Sequence, residues 1–508
     1  MIALTAAEIS QIVGGELVHV DPEAQVTKPA EFDSRKVSDG SLFLALPGAR
    51  VDGHDFIGQA VQAGATMALA ARDVGQPAVV VKPLGKQESN ADAFAHDPDG
   101  SGAAVLEALG KLARYVVDEL SKDNLHVVGV TGSAGKTSTK DMMATLLRID
   151  GPTVAPKGSF NNEIGHPYTV LQCTPETKYL VAEMSARGIG HIAHLARIAP
   201  PTIGAVLNVG TAHLGEFGSR EAIAQAKGEL VEALPSAEQG GVAVLNADDD
   251  YVYGMTPRTQ AKVVYFSADE AAPRHASADY RASDVKLDDL ARASFVLHVP
   301  DGRTFPIQLQ VYGAHQVANA LAAISVAVES GIDAAQVAEA MNTHVAASER
   351  RMDVQQLSGN VVVINDSYNA NPDSMRAGID ALARTASGPK HQEASSWAVL
   401  GQMGELGDSA ESEHEALAEY LVQRGIDRLV AVGQSVNVHA LADKAEELGL
   451  NTSRVSGTSE AAELVAAEVN PADCVLVKAS YADGMWRVAD ALASMVGSMS
   501  DGESEEEK

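Results

Sequence analysis

Two cysteines in 508 residues, Cys173 and Cys474, are too few and too far apart for a disulfide framework, and neither has the spacing of a structural zinc site. Both read as reduced core thiols. Basic residues are also short: 38 Lys and Arg stand against 68 Asp and Glu, a formal net charge of −30. That balance excludes a broad basic face for nucleic acid. An anionic ligand must then be met locally, by a helix N-terminus, a few placed cations or magnesium. No uninterrupted apolar run is long enough to cross a bilayer, and Met1-Ile2-Ala3-Leu4-Thr5 has no charged stretch leading into an apolar core. The expectation is a soluble, cytoplasmic chain without membrane insertion. A fixed-period repeat is missing, which argues against a solenoid. So is an Asn-Lys-x-Asp run of the kind that reads guanine in nucleotide switches.

What is present is length enough for about three cores at the usual domain size. Residues 1–84 mix short apolar runs, Ser41 to Leu46 and Pro77 to Val81, with Gly-rich turns, as in a small α/β domain. Residues 85–102 are polar and Asp-rich and read as a linker or surface insertion. From 103 to 347 a helical segment, Ala103 to Leu120, leads into the strand His126 to Val130 and then into alternating strands and helices, the pattern of a parallel sheet wrapped by helices. A second alternating block spans 348–500, with candidate strands Asn360 to Ile364, Trp397 to Leu400, Arg428 to Val432 and Cys474 to Val477. It predicts a Rossmann-like, doubly wound sheet. Residues 501–508 form an acidic tail expected to be disordered.

The strongest local signal is Val130-Thr131-Gly132-Ser133-Ala134-Gly135-Lys136-Thr137-Ser138-Thr139, between a strand and the predicted helix Lys136 to Arg148. Glycines at 132 and 135 let successive N–H groups of Ser133, Ala134 and Ser138 turn toward phosphate oxygens, Lys136 can reach the terminal phosphates, and Thr137 can ligate magnesium. The spacing departs from the strict phosphate-loop pattern, because Val130 stands where its first glycine would be. Three further strands end in chemistry-bearing groups: Tyr179 to Ala182 runs into Glu183, Ile203 to Leu207 into Asn208 with His213 beyond it, and Val242 to Leu245 into Asn246 and Asp248. Ligands of open parallel sheets lie beyond the carboxyl ends of the strands. Singly, Glu183 or His213 would be an ordinary cap or paired polar group; jointly they point to one edge.

These segments resemble the Mur ligases, three-domain enzymes that activate a carboxylate with ATP and join it to an amine. The resemblance runs through TGSAGKTST at the phosphate loop, EMSARGIGHI around Glu183, NVGTAHL from Asn208 to Leu214, Ala226-Lys227-Gly228-Glu229, and Gly313 to Ala323 with His315 and Asn319. Within the family, Asn365 to Met375, Leu400 to Gly407, and Asp33-Ser34-Arg35 through Phe56 are similar to the branch that adds a dipeptide. No Asp-Asn-Pro-Arg or Asp-Asp-Pro-Lys run of the diamino-acid-adding branch occurs. Lys478-Ala479-Ser480-Tyr481 stands where a Lys-Gly-Ser-Arg pattern is usual, and Tyr481 cannot supply the missing charge.

The resemblance implies a UDP-sugar-binding first domain, a central ATPase domain and a ligase third domain. It implies ATP and Mg2+ as cofactors, UDP-N-acetylmuramoyl-tripeptide and D-alanyl-D-alanine as substrates, and a monomer. Lys136 would bind the β- and γ-phosphates, Thr137 with Glu183 one magnesium, and His213 a second, together with Lys227 if carbamylated. Unmodified, Lys227 is an ordinary helical lysine. His315 and Asn319 would contact adenine, Asp366 the ribose, and Arg351 the phosphates from the third domain. Ser34 and Arg35 would hold the UDP-sugar, Asn161 and Asn162 the muramyl peptide, and Asn369 and Asn371 belong to the dipeptide-branch signature. A diamino-acid-adding or folylpolyglutamate-like ligase is the nearest alternative, and a phosphate-loop switch the more distant one.

Overall fold

The computed structural model describes residues 1–48, 51–86, 97–156, 158–211, 214–391 and 394–497. Three α/β layers follow one another along the chain, each around its own sheet. The first sheet has five strands in the order Glu16–Val18, Ala78–Val80, Ala65–Ala70, Ser41–Leu44 and Ala30–Glu31, all parallel except the first. Its central strands are buried on both faces, as continuous apolar runs require.

The polar segment after this sheet has paired ends. Gly85 N–H donates to the Asp99 carbonyl at 3.0 Å. Asp97, expected in a solvated linker, is buried, and its carboxylate accepts from the N–H groups of Gly102 and Ala103 at 2.9 and 2.8 Å. It thereby satisfies orphan donors at the start of the long helix Ser101–Ser121. Residues 87–96 of that segment, like the tail 501–508, lie outside the described residues.

The middle sheet has nine strands. Seven are parallel, from Thr153–Val154 at one edge through Tyr179–Glu183, His126–Thr131, Ile203–Val206, Val242–Asn246 and Lys262–Ser267 to Tyr280–Leu287. The last two, Arg292–His298 and Thr304–Tyr312, add on as antiparallel hairpins. Alternation of secondary structure predicted a parallel sheet wrapped by helices, and the seven parallel strands match it. The hairpins differ because Arg292–His298 alternates buried and half-buried side chains, the pattern of a sheet with one wet face.

The third sheet orders Asp353–Leu357, Val361–Asn365, Cys474–Lys478, Ser396–Leu400, Arg428–Val432 and Asn451–Val455, parallel except for the first. Four of these six were expected. The two edge strands escaped notice because DVQQL and NTSRV bury little, so neither carries an apolar run. The third layer packs against the middle one. Ala291, in the middle domain's hairpin, belongs to the third domain's core, and Arg384 donates to the Leu287 carbonyl at 2.8 Å.

Candidate active site

Parallel register levels the strand ends that matter. Glu183 pairs with Val130 on one side of the phosphate-loop strand, and Val206 pairs with Thr131 on the other. Glu183, Gly132 and Asn208 therefore leave the sheet at nearly the same height. The loop is then stitched to its neighbour. Ser133 N–H donates to the Asn208 carbonyl at 3.1 Å, and Gly210 N–H donates to Ser133 Oγ at 2.9 Å. The Asn208 carboxamide takes both backbone groups of Ala134, accepting its N–H at 2.9 Å and donating to its carbonyl at 3.1 Å. Only backbone is used at 134, so an alanine side chain there leaves the cradle intact.

Gly135 is required twice over. Its φ is 84°, in the left-handed region, and a Cβ there would lie 2.4 Å from Asn319 Oδ1. It starts the helix Lys136–Leu147, whose N-terminus no side chain caps, leaving the first amides available to an anion. Lys136 folds back onto the loop and donates to the Gly132 carbonyl at 2.8 Å. Burial holds its ammonium below the ordinary lysine range, Glu183 opposes that shift, and Arg351 adds to it.

Glu183 is buried, accepting from Thr137 Oγ1 at 3.0 Å and from Asn161 Nδ2 at 2.7 Å. Thr137 Oγ1 also lies 3.0 Å from Ser159 Oγ, which accepts from Arg351 at 2.9 Å. Arg351 comes from the third domain and lies 4.1 Å over the Tyr368 ring, while its Nε is buried without a partner among the described residues. Two cations and one carboxylate thus meet around the phosphate loop.

Across the cleft, Lys478 is buried and organises the turn after the third domain's first parallel strand. It donates to Asp366 Oδ2 at 2.6 Å and to the carbonyls of Asn369 and Asp366 at 2.7 and 3.2 Å. Burial lowers the pKa of Lys478, and the Asp366 carboxylate opposes this. Asp366 Oδ1 accepts from Met352 N–H at 3.1 Å, which places Arg351 beside it. Two further contacts join the layers: Arg187 to Glu405 at 2.7 Å, and Thr211 N–H to Asp373 Oδ2 at 3.3 Å. Ser159 carries no sequence signal of its own, and Arg187 and Glu405 stand inside the runs EMSARGIGHI and Leu400 to Gly407, where the pairing of the two is not visible in sequence.

All of this surrounds one cleft of about 1230 Å³. Its lining includes Ser133, Ala134, Gly135, Lys136, Thr137, Ser138, Asn161, Asn162, Glu183, His315, Asn319, Arg351, Asp366, Asn369 and Asn371. Several of them have structural duties as well. Asn162 Oδ1 accepts from Gly165 N–H at 3.0 Å at the start of one helix, and Asn371 caps another by accepting from Ser374 N–H at 2.8 Å. Asn319 donates to Gln316 at 2.9 Å, and Asn369 Oδ1 accepts from Ala370 N–H at 2.9 Å.

Four expected residues are not in the lining, the first being Gly132, whose carbonyl instead accepts from Lys136 at 2.8 Å. Ser34 and Arg35 are not part of the cleft lining, and the Arg35 guanidinium is taken by Asp33 two residues away, through two bonds of 2.9 Å. Lys227 lies behind the lining on the helix Arg220–Glu232, buried, with no hydrogen bond or ion pair among the described residues. Burial, with the Lys136 charge nearby, holds its ammonium well below the ordinary range. Its neighbour Glu229 caps another helix, accepting from Gly190 and Ala193 N–H at 2.5 and 2.9 Å. His213 lies outside the described residues.

The donor set tests which metal would fit. Among the described residues no group of three His, Cys, Asp or Glu gathers in one place, which disfavours zinc-type coordination. A hydroxyl and a carboxylate 3.0 Å apart, at the N-terminus of a phosphate-loop helix, are hard oxygen donors that suit a magnesium ion completed by phosphate and water.

Family models match most of this architecture: "Mur ligase family, catalytic domain" over residues 30–115, "Mur ligase middle domain" over 130–327, and "Mur ligase, glutamate ligase domain" over 350–481. The chain is 49% identical to the UDP-N-acetylmuramoyl-tripeptide–D-alanyl-D-alanine ligase of Mycobacterium bovis, covering 97% of this chain and 98% of that protein. To the enzyme of the same name from Escherichia coli it is 34% identical, over 97% and 99%. Among solved structures it is similar to MurF from Acinetobacter baumannii, with TM-score 0.80, 29% identity and coverage of 97% and 99%. It is similar also to the MurF ligase from Thermotoga maritima in complex with ADP, with TM-score 0.74, 28% identity and coverage of 93% and 98%.

Proposed function

The chain belongs to the Mur ligase family, and from that premise we propose that it joins D-alanyl-D-alanine to UDP-N-acetylmuramoyl-tripeptide with ATP, giving the pentapeptide-bearing precursor of peptidoglycan. One observation carries the chemistry: Lys136, Thr137, Glu183 and the third domain's Arg351 face a single cleft.

The reaction has an electrostatic obstacle, because a carboxylate must approach a triphosphate. In the proposed first step the tripeptide's terminal carboxylate oxygen attacks the γ-phosphorus, the bond to the bridging oxygen breaks, and ADP leaves. An acyl phosphate remains. The dipeptide's neutral amine then attacks the acyl carbon, inorganic phosphate departs, and the amine's proton is lost as the amide forms. Lys136 would leave the Gly132 carbonyl for the β- and γ-phosphate oxygens, and Arg351 would add its guanidinium from the other side, so that anionic charge is neutralised by groups already in place. Magnesium, held through Thr137 and Glu183, would supply Lewis-acid charge neutralisation at the phosphates. His315, Asn319 and Asp366 would hold the adenosine. Asn161, Asn162 and the first domain around Ser34 and Arg35 would take the UDP-muramyl peptide, with Asn369 and Asn371 on the facing wall. Contacts between the layers, such as Arg351 to Ser159, would help keep water from the acyl phosphate, which hydrolyses readily.

A scan of amines with a UDP-muramyl tripeptide and ATP tests the assignment: D-alanyl-D-alanine should stimulate phosphate release strongly, and single diamino acids or glutamate should not. Stimulation by a diamino acid would move the chain to another branch. ATP turnover independent of both substrates would favour a switch.

Lys227 enters as a carbamate. A neutral amine is the form that adds to carbon dioxide, and burial favours the neutral form here. The nitrogen attacks the carbon, a proton is lost, and the product is an anion able to ligate metal with His213. Carbon-13 NMR in labelled bicarbonate should give a carbamate signal that Lys227→Arg lacks; an active preparation carrying only unmodified lysine would remove this role.

A further inference from the structure

Tyr481 lines the third-domain side of the cleft, and its surroundings give it a use the ligase reading has not yet assigned. The residue is 53% exposed, yet its ring has aromatic neighbours. It opens a short turn in which Gly484 N–H closes on the Tyr481 carbonyl at 3.1 Å, and Ser480 before it accepts from Gly404 N–H at 2.8 Å. Its ring packs on Trp486 with centroids 5.0 Å apart, and on Tyr368 at 5.5 Å. Tyr368 and Tyr481 both line the cleft, and the outer faces of the cluster carry cations, Arg351 over Tyr368 at 4.1 Å and Arg350 over Trp486 at 4.5 Å. The Tyr481 hydroxyl has no hydrogen-bond partner among the described residues, so its ring is the recognising surface.

We propose that Tyr481 selects the incoming amine, its ring forming with Tyr368 an apolar wall against an alanine methyl of the dipeptide. The proposal rests on the ligase reading above. Under that reading the phosphate loop, with Asn319 and His315, accounts for ATP, and the side toward Asn161 adjoins the first domain, where Phe160 approaches Phe32 at 6.5 Å. On the third-domain wall Arg351 and Asp366 also serve ATP, and the part of that wall beyond them, at Tyr481, is what remains for the acceptor. A ring already stacked on its neighbours loses less conformational freedom on binding than a free one, so apolar contact there converts efficiently into affinity.

The test is steady-state kinetics of phosphate release with Tyr481→Ala and Tyr481→Phe, varying ATP, UDP-muramyl tripeptide and the dipeptide in turn. The dipeptides are D-alanyl-D-alanine and its analogues with glycine at either position. Tyr481→Ala should raise KM for D-alanyl-D-alanine about tenfold, with kcat and the other two KM values within about twofold. Its preference for D-alanyl-D-alanine over the better-excluded glycine analogue should fall by a similar factor, while Tyr481→Phe behaves as the parent. An unchanged dipeptide KM and preference in Tyr481→Ala, or equal rises in all three KM values, would overturn the proposal. If the parent protein shows no release stimulated by the dipeptide, the ligase reading itself fails, and this assignment with it.

Discussion

Replacing Lys136 by alanine should lower phosphate release about a thousandfold or more, while the protein melts no lower than its parent. The two halves of that expectation have different origins. Turnover falls because a methyl group cannot follow charge as it moves from the γ-phosphate onto the β-phosphate of the departing ADP, and among the described residues no other lysine lines the phosphate-loop side of the cleft. Stability holds because this ammonium is poorly solvated and its only hydrogen bond among the described residues is to the Gly132 carbonyl. Burial holds its pKa below that of the unfolded chain, so the unfolded state binds the proton more tightly. The charge therefore opposes folding at neutral pH, and the opposition fades only as pH rises through the folded pKa toward the unfolded one. Thermal melts run beside the phosphate-release assay separate the effects. A variant that melts lower and loses activity in proportion would make Lys136 a structural residue.

Glu183→Gln should slow turnover about 100- to 1,000-fold and raise the magnesium concentration needed for half-maximal rate. The change is nearly isosteric. Asn161 can still donate to the remaining oxygen, and the new amide can donate to Thr137 Oγ1 in place of accepting from it, so the local packing survives. What disappears is the one negative charge beside the helix N-terminus and Thr137. If magnesium dependence and rate are both unchanged, the carboxylate serves only to orient Asn161 and Thr137, and the metal must be held elsewhere. The two variants differ in a useful way: added magnesium should partly restore Glu183→Gln but not Lys136→Ala.

Much of this site is legible in one dimension because its chemistry is concentrated at strand ends. A run such as YLVAE states both that a strand is buried and that a carboxylate waits at its exit, and parallel sheets place such exits on one edge. The phosphate loop needs glycine where a Cβ would collide, so Gly135 and the following GKT run mark it without any fold. Edge strands and paired side chains are less visible. Asp97, in a segment whose composition signals solvent, is buried because helix N-termini need acceptors, and nothing in its neighbours announces that contact. Arg35 looks like a free guanidinium in sequence, but a two-residue return to Asp33 engages it.

Sequence alone determined the order of the three α/β layers, the phosphate loop and the family, since each depends on local pattern: apolar periodicity, glycine placement and motif spacing. Only the tertiary structure decided which groups share the cleft. It brought Arg351 to Ser159 across 192 residues, sank Lys478 beneath the turn at Asp366, put Lys227 behind the lining and set Tyr481 on an aromatic stack at its rim. The physical reason is that burial and electrostatics act through space. A side chain's charge state and partners follow from what packs around it, and those neighbours are set by sheet register and by the docking of one layer on another.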